Sequence, residues 1–424
     1  MSVLEELAWR GMLQDSTDGA ADHLAEESRV CYIGYDPTAS SLHVGHLLTV
    51  MGLVHLQRAG HHPIALVGGG TGLIGDPSGK TAERQLLTAE DVAANADALR
   101  TQLEPFLDFN VKTNPARMRN NLDWLGQMRM VDFLRDVGKH FSVNAMLRKD
   151  SVRRRIESDE SGLSFTEFSY QLLQSYDFVA LNEAEGCTVQ MGGSDQWGNI
   201  TAGIDLLRRM RSVQGHGVVY PLVTNSSGTK FGKTESGAVW LDPARTSPFR
   251  FYQFWINADD GDASSYLRYF TLLDRETAEG ILADQEAEPF RRHAQKALAE
   301  DVTRRVHGET GLARARQATD ALFGGSIEGL AADEIADIFA DVPSTSIPKD
   351  RFSGEGIGVL DLLAESGVAS SKGDARRAVE GGGIYLNSAR VDDSAASITL
   401  DRAIEGRFFV IRKGKKNYHL VEVG

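Results

Sequence analysis

The chain has 424 residues with 45 Lys+Arg against 59 Asp+Glu, a formal net charge of −14, and is 42% hydrophobic and 25% charged. At roughly 100–200 residues per domain this length predicts about two to four domains, which excludes a small stapled scaffold, and the composition excludes a disordered or fibrous chain. Cys31 and Cys187 stand without a CxxC pair or a Cys/His cluster, so neither a disulfide framework nor a bound structural metal is expected, and a cytoplasmic, reducing setting fits.

The N-terminal stretch MSVLEELAWRGMLQDSTDG has no basic segment leading into an apolar one, and no apolar run approaches the ~18 residues of a membrane span, so neither a signal peptide nor a membrane partner is expected. Residues 29–100 alternate strand and helix signals. Val30–Tyr35 reads as a strand, 45–59 as an amphipathic helix carrying Leu47, Leu48, Met51 and Val54, and 63–67 as a short buried strand before glycines. This predicts a parallel α/β beginning. The mixture continues to a last strand at 218–223 and a polar, flexible stretch at 224–234. Beyond Pro248, helical stretches such as 277–281 and 289–306 predict a helical domain without strands. Residues 342–352, with Pro343 and Pro348, read as a linker, and a helix, turn, helix, strand pattern follows at 359–365, 372–379 and 383–391. The expected division is thus an α/β domain over 1–224, a loop and connection over 225–246, a helical domain over 247–345, and a linker with a small α+β domain over 346–424. Residues 346–424 hold 12 Lys+Arg against 11 Asp+Glu, leaving −15 for the remainder, so the tail is electrostatically a separate module.

Three segments compete as phosphate sites. Gly70-Thr-Gly72-Leu-Ile-Gly75 fits the dinucleotide fingerprint, but Gly75 leads into Asp-Pro-Ser-Gly, which is turn chemistry and not the opening of a helix. GDPSGKT at 75–81 is one residue short of the Walker A spacing, which changes the nest of amides around a phosphate. The third, 36–46, lies where the first strand turns into the first helix and contains His43-Val-Gly45-His46. A helix N-terminus exposes unpaired amides and positive potential, and histidines at i and i+3 can both face a phosphate held there. Gly45 leaves room for a flat purine against the backbone. Alone, the pair would equally be metal ligands or polar residues at a helix start, although no third ligand stands nearby. A distant partner changes the balance: Lys230-Phe-Gly-Lys233-Thr234, flanked by Gly228 and Gly237, offers two ammonium groups suited to charge developing during nucleotidyl transfer. In isolation such a loop is ordinary solvated surface. Together with HVGH it is specific.

On these motifs the chain resembles the class I aminoacyl-tRNA synthetases, and within them the bacterial tyrosyl-tRNA synthetase family. HVGH has Val for Ile in the first signature, and KFGKT departs from the commonest second one at Phe, Gly and Thr. The resemblance extends over YIGYDPT (32–38), GLIGDPSGK (72–80), YQLLQSYDF (170–178) and GGSDQ (192–196), and ends in a tail similar to the S4 RNA-binding domain. It implies a Rossmann-like parallel-sheet catalytic domain with an inserted dimerisation region, a helical anticodon-binding domain and an S4-like domain. It also implies a homodimer that joins tyrosine to tRNA(Tyr) using ATP with Mg2+. By the same resemblance Thr38, His43 and His46 contact the ATP phosphates, and Lys80, Arg84, Lys230 and Lys233 close over them. Tyr32 and Asp177 read the phenolic hydroxyl, Asp76, Tyr170 and Gln174 hold the ammonium group, and Gln196 fits the carboxylate end. Gly34, Asp36, Gly45, Gly193 and Asp195 correspond to positions near ATP. Ile33 stands where some relatives have cysteine.

Plainer readings accompany these. Tyr170, Gln174 and Asp177 would also make one solvated helix face, and Tyr32 would serve as ordinary strand packing. In the tail, Arg376 and Arg377 lie on the second helix and Arg412, Lys413 and Lys415 follow without an intervening acid, which suits phosphate contact with RNA; the alternative is an edge strand blunted by lysines. The rival functions are a catalytically inactive structured-RNA-binding protein on the same fold, a small-molecule nucleotidylyltransferase, and the tryptophanyl-tRNA synthetase, from which the Tyr32/Asp177 pair separates the chain.

Overall fold

Six strands build the principal sheet: β1 (Asp15–Ser16), β2 (Val30–Tyr35), β3 (His62–Val67), β4 (Arg117–Asn120), β5 (Cys187–Gly193) and β6 (His216–Tyr220). In this computed structural model their order is β1-β6-β5-β2-β3-β4, all parallel except the β1 edge, which runs antiparallel to β6. The described residues are 2–77, 87–149, 152–153, 156, 162–226, 231–234 and 237–424, with Lys233 and Thr234 described in backbone only. The expected β2 and β3 form because their near-continuous apolar runs are covered on both faces, as a parallel sheet requires. The last strand ends at Tyr220, earlier than the expected 223, because Pro221 has no N–H to continue the ladder. A single turn, Val44–His46, precedes the helix Leu47–Arg58.

The helix Phe165–Glu185 starts at Ser164, whose Oγ accepts from the Glu167 N–H, and stops at Gly186 with φ 68°. Its Phe178, Val179 and Leu181 share a buried core with Tyr32, Ile64, Leu66 and with Leu206 and Leu207 of the helix Trp197–Arg211. Helix and strands are thereby locked in register at the place where the chain order reverses. A small hairpin follows, β7 (Lys233–Thr234) with β8 (Gly237–Ala238).

Two compact units divide the chain, 1–245 with 256–306 and 246–255 with 307–424. Among the described residues, 248–343 carries no strand. The helical stretch expected at 289–306 is a short turn, Pro289–Arg291, and then His293–Leu322, broken at Gly308 (φ 72°). The segment 342–352, expected as a linker, instead contributes β9 (Ser344–Ile347), which pairs in parallel with β15 (Asn417–Val423). With β11 (Ile384–Leu386), β12 (Ala389–Arg390) and β14 (Phe408–Lys413) it makes a sheet ordered β12-β11-β14-β15-β9, while β10 (Ile357–Gly358) pairs with β13 (Ser397–Ile398). The single strand expected at 383–391 is therefore a hairpin, turned by Asn387 and Ser388 at positive φ. Alternate residues of β14 serve two cores: Phe408 and Val410 pack with Ile335, Ile338 and Phe339, whereas Phe409 and Ile411 pack with Leu362, Leu363 and Val379. Each such side chain contributes roughly 1.5–3 kcal/mol on burial, so the sheet binds the helices on both its faces into one body. Among the described residues no helix is long and apolar enough to cross a membrane.

Candidate active site

Where the order reverses between β2 and β5, a cavity of about 330 Å³ opens at the carboxyl ends of the strands. Parallel sheets place ligand sites there because neighbouring loops diverge to opposite sides and leave a crevice. Tyr32, Gly34, Asp36, Thr38, Gly45, His46, Asp76, Tyr170, Gln174, Asp177, Gly193, Asp195 and Gln196 all line this one cavity. His43 lies behind His46, their ring centroids 4.1 Å apart. Lys80, Arg84 and Lys230 lie outside the described residues, and Lys233 is described in backbone only.

Tyr170, Gln174 and Asp177 fall on one face of their helix through spacings of four and three residues. That face looks into the cavity instead of into solvent: Tyr170 and Asp177 are buried. Asp177 accepts from Asn121 Nδ2 at 3.0 Å and from Trp124 Nε1 at 2.8 Å. Burial pushes its carboxyl up to about 8 against the pull of those two donors. Asn121 also donates to Thr71 Oγ1 (2.9 Å) and accepts from the Gly70 N–H (2.7 Å). Thr71 Oγ1 donates to one oxygen of Asp36 at 2.7 Å and the Tyr170 hydroxyl to the other at 2.8 Å. At the rim Gln196 Nε2 donates to Asp76 at 2.8 Å and Gln196 Oε1 accepts from Gln174 at 3.3 Å. Enclosure by the pocket walls raises the carboxyl of Asp195.

Among the described residues, the buried polar atoms of the lining without a hydrogen-bond partner include Tyr32 Oη, Gln174 Oε1 and Gln190 Oε1. Buried polar atoms are nearly always satisfied, so several around one cavity call for a polar ligand. Tyr32 does pack, its ring edge-on to Phe178 at 5.5 Å, but burial with Asp177 close by pushes its hydroxyl well up, so it stays a neutral donor and acceptor. The strand-packing and ligand-reading roles of Tyr32 therefore coexist. Sequence reasoning missed Asn121, Trp124, Thr71 and Gln190. Asn121 directly follows β4, so strand pairing brings it beside Thr71, and no spacing pattern announces that.

The raised Asp177 carboxyl gives a stability prediction. An acid whose folded value lies above its unfolded value of 3.8 contributes stability that is complete below that value and is lost as pH rises through about 8. Between pH 4 and pH 9 the unliganded protein is expected to lose stability relative to Asp177→Asn, measured by denaturant midpoints. A difference constant with pH would contradict the buried neutral acid.

At the opposite side of the cavity, His43 Nδ1 accepts from the Gly45 N–H at 3.0 Å and His46 Nδ1 accepts from the His43 N–H at 3.2 Å. Both imidazoles therefore carry their proton on Nε2 and offer a donor. Protein packed around the His46 ring lowers it to about 3, with His43 adding to the effect. It is a neutral donor throughout the physiological range. A Cβ on Gly45 would stand 2.7 Å from the His43 ring, and one on Gly232 (φ 78°) would stand 2.6 Å from Val44 Cγ2 and 3.3 Å from the Gly45 nitrogen. Glycine at 232 thus lets the KFGKT segment lie directly against HVGH, and glycine at 45 leaves room for the His43 ring. Backbone bonds from Val44 N to Val239 O and from Leu241 N to Leu42 O, both 2.9 Å, fasten the same contact.

In the second unit Arg376, Arg377 and Lys415 are exposed, while Arg412 lies over the Tyr385 ring at 3.8 Å. Lys413 differs from the rest of that cluster. Its ammonium donates to the Val368 carbonyl at 2.9 Å and lies 3.4 Å from Asp374, whose carboxyl is lowered by the Ser370 backbone N–H and by Lys413. It holds the helix start to the sheet.

Comparison with known proteins agrees with this geometry. A profile described as tRNA synthetases class I (W and Y) matches residues 24–324, and one described as a tyrosine–tRNA ligase SYY-like C-terminal domain matches 334–421. The chain is 57% identical over 422 residues to the tyrosine–tRNA ligase of Roseiflexus castenholzii, covering 100% of this chain and 99% of the relative. It is 51% identical over 426 residues to that of Geobacillus stearothermophilus, covering 99% of each. Among solved structures, a C-terminally truncated mitochondrial tyrosyl-tRNA synthetase of Aspergillus nidulans superposes with a TM-score of 0.69 at 30% identity, covering 76% of this chain and 94% of that one. A profile shared by the tryptophan and tyrosine enzymes leaves the amino acid open, and full-length identity to tyrosine enzymes closes it: the chain belongs to the tyrosine–tRNA ligase family of the class I aminoacyl-tRNA synthetases.

Proposed function

We propose that the cavity holds L-tyrosine at its Tyr32–Asp177 end and ATP against the HVGH turn, and that the protein joins tyrosine to tRNA(Tyr) in two steps. The tyrosine carboxylate attacks the α-phosphate of ATP, which enters as its magnesium complex, and pyrophosphate leaves. The terminal ribose hydroxyl of tRNA then attacks the tyrosyl adenylate, and AMP leaves. No enzyme nucleophile is required, so acceleration comes from alignment of two anions and from donors aimed at the transferring phosphorus and the departing pyrophosphate. Thr38, His43 and His46 supply hydrogen-bond donors at that point, and Lys80, Arg84, Lys230 and Lys233 supply the positive charge.

Tyr32 and Asp177 receive the phenolic hydroxyl, each with spare capacity for one more hydrogen bond. Asp76, Tyr170 and Gln174 take the ammonium group, with Asp36 joined to them through Tyr170. Gln196 stands beside Asp76 at the carboxylate end. The unpartnered Tyr32 Oη, Gln174 Oε1 and Gln190 Oε1 on one cavity carry this reading, because an apolar ligand would satisfy none of them and a purely anionic one would leave the two amide oxygens unsatisfied. The exposed Arg376, Arg377 and Lys415, with Arg412, suit RNA phosphates. Met130 and Val131, each 73% exposed, and Phe165 at 74% leave apolar surface that favours a homodimer. A cytoplasmic location accords with two free, buried thiols.

Amino-acid-dependent exchange of labelled pyrophosphate into ATP tests the reading. Tyrosine is expected to support exchange without tRNA and tryptophan to give none. Exchange with tryptophan alone would overturn the substrate, and absence of any exchange would overturn the chemistry.

A further inference from the structure

The strand that leaves the KFGKT hairpin does two things within a few residues. Val239 N donates to Gly232 O at 3.0 Å, which closes the hairpin, and Trp240 then forms an antiparallel bridge with His43. The two bonds flanking that bridge, from Val44 N and from Leu241 N, fix the Trp240 backbone beside the start of HVGH. The indole lies edge-to-face with the His43 imidazole, centroids 5.7 Å apart at 74°. On the indole face sits the guanidinium of Arg245, its carbon 3.4 Å from the ring centroid. Arg245, Trp240, His43 and His46 therefore form one chain of contacts from the exposed Arg245 to the cavity lining.

We infer that Trp240, held by Arg245, is a positioning residue for the His43 imidazole in nucleotidyl transfer. The Nδ1 of His43 accepts from Gly45, the His46 ring lies 4.1 Å from the imidazole, and the indole edge forms a further wall against it. That wall limits how far the ring turns about its hydrogen bond. The cation over the ring holds the indole in place by the attraction of its charge to the π face. The direction of Nε2 matters because a donor misplaced by about 1 Å from a developing charge can cost up to about 10²-fold in rate. The indole itself touches no substrate. Its whole effect passes through His43.

This inference rests on the nucleotidyl-transfer reading of the cavity, and the experiment separates the two. If the unmodified protein shows no tyrosine-dependent exchange, the reading of the cavity fails and the inference falls with it. If it does, single-turnover formation of tyrosyl adenylate is compared for Trp240→Leu, Trp240→Phe, Arg245→Gln, His43→Asn and the Trp240→Leu/His43→Asn pair. Trp240→Leu is expected to slow the step about tenfold with tyrosine affinity within about twofold of the parent. Phenylalanine restores an aromatic face and most of the rate, and Arg245→Gln slows the step about two- to threefold. Because Trp240 acts through His43, the double variant is expected to be no slower than His43→Asn alone. Losses that multiply, a Trp240→Leu rate within twofold of the parent, or a phenylalanine variant as slow as the leucine one would each overturn the inference. Should Trp240→Leu melt early, the phenylalanine and Arg245 variants decide by the same criteria.

Discussion

Asp177→Leu is expected to reduce the preference for tyrosine over phenylalanine by about 10²–10³-fold, measured as the ratio of kcat/KM values in pyrophosphate exchange. The Asn121 and Trp124 donors on Asp177 lose their acceptor whether or not an amino acid is bound, so their loss lowers stability and leaves selectivity alone. Selectivity changes through the incoming phenol. It forgoes a hydrogen bond to a neutral carboxyl, about 0.5–1.5 kcal/mol, and is buried with one fewer partner, about 1–3 kcal/mol more. Leucine is chosen over alanine because it leaves no room for a replacement water. The tyrosyl-tRNA synthetases are themselves the standard example of rejection of phenylalanine, by about 10⁵-fold, so the variant retains a residue of preference through Tyr32. An unchanged ratio would remove Asp177 from hydroxyl recognition.

His46→Ala is expected to slow adenylate formation by about 10²-fold while tyrosine affinity, measured by equilibrium binding without ATP, stays within about twofold. Its proton is assigned to Nε2 by the hydrogen bond that Nδ1 accepts, and the ring lines the cavity. Removing one such donor from a developing oxyanion typically costs about 10²–10³-fold. Because the ring is held neutral down to about 3, the parent rate should show no inflection near pH 6.5 attributable to His46. Equal losses in rate and in tyrosine affinity would mean that His46 serves the pocket's structure and not the phosphates.

Local features of the chain were legible without the fold. Tyr170, Gln174 and Asp177 share a helix face because helical spacing puts them there, and the Phe165–Glu185 helix delivers that face intact. The rejection of a dinucleotide loop at Gly70–Gly75 also rested on local chemistry: Gly75 takes φ 87°, which a helix start does not, and the next helix among the described residues opens at Ala89. Errors arose where pairing with a distant strand decides the outcome. Ser344–Ile347 has the prolines and hydroxyls of a linker, yet β15 supplies a hydrogen-bonding edge, and that edge makes it a strand. The Val368 carbonyl and Asp374, which the fold places within reach of Lys413, are likewise not announced by the sequence around it.

The sequence by itself determined the chemistry on offer: two histidines three apart at a helix start, a lysine-bearing glycine loop, and a tyrosine and an aspartate able to read a hydroxyl. These follow from residue type and short-range geometry, which the chain carries wherever it folds. Only the tertiary structure decided that HVGH and KFGKT lie in contact through Gly232 and Gly45, that Asn121 and Trp124 hold Asp177, and that Trp240 backs His43. Those relations join residues on different strands and loops, and their cause is the order β1-β6-β5-β2-β3-β4, which brings remote loop ends to one crevice.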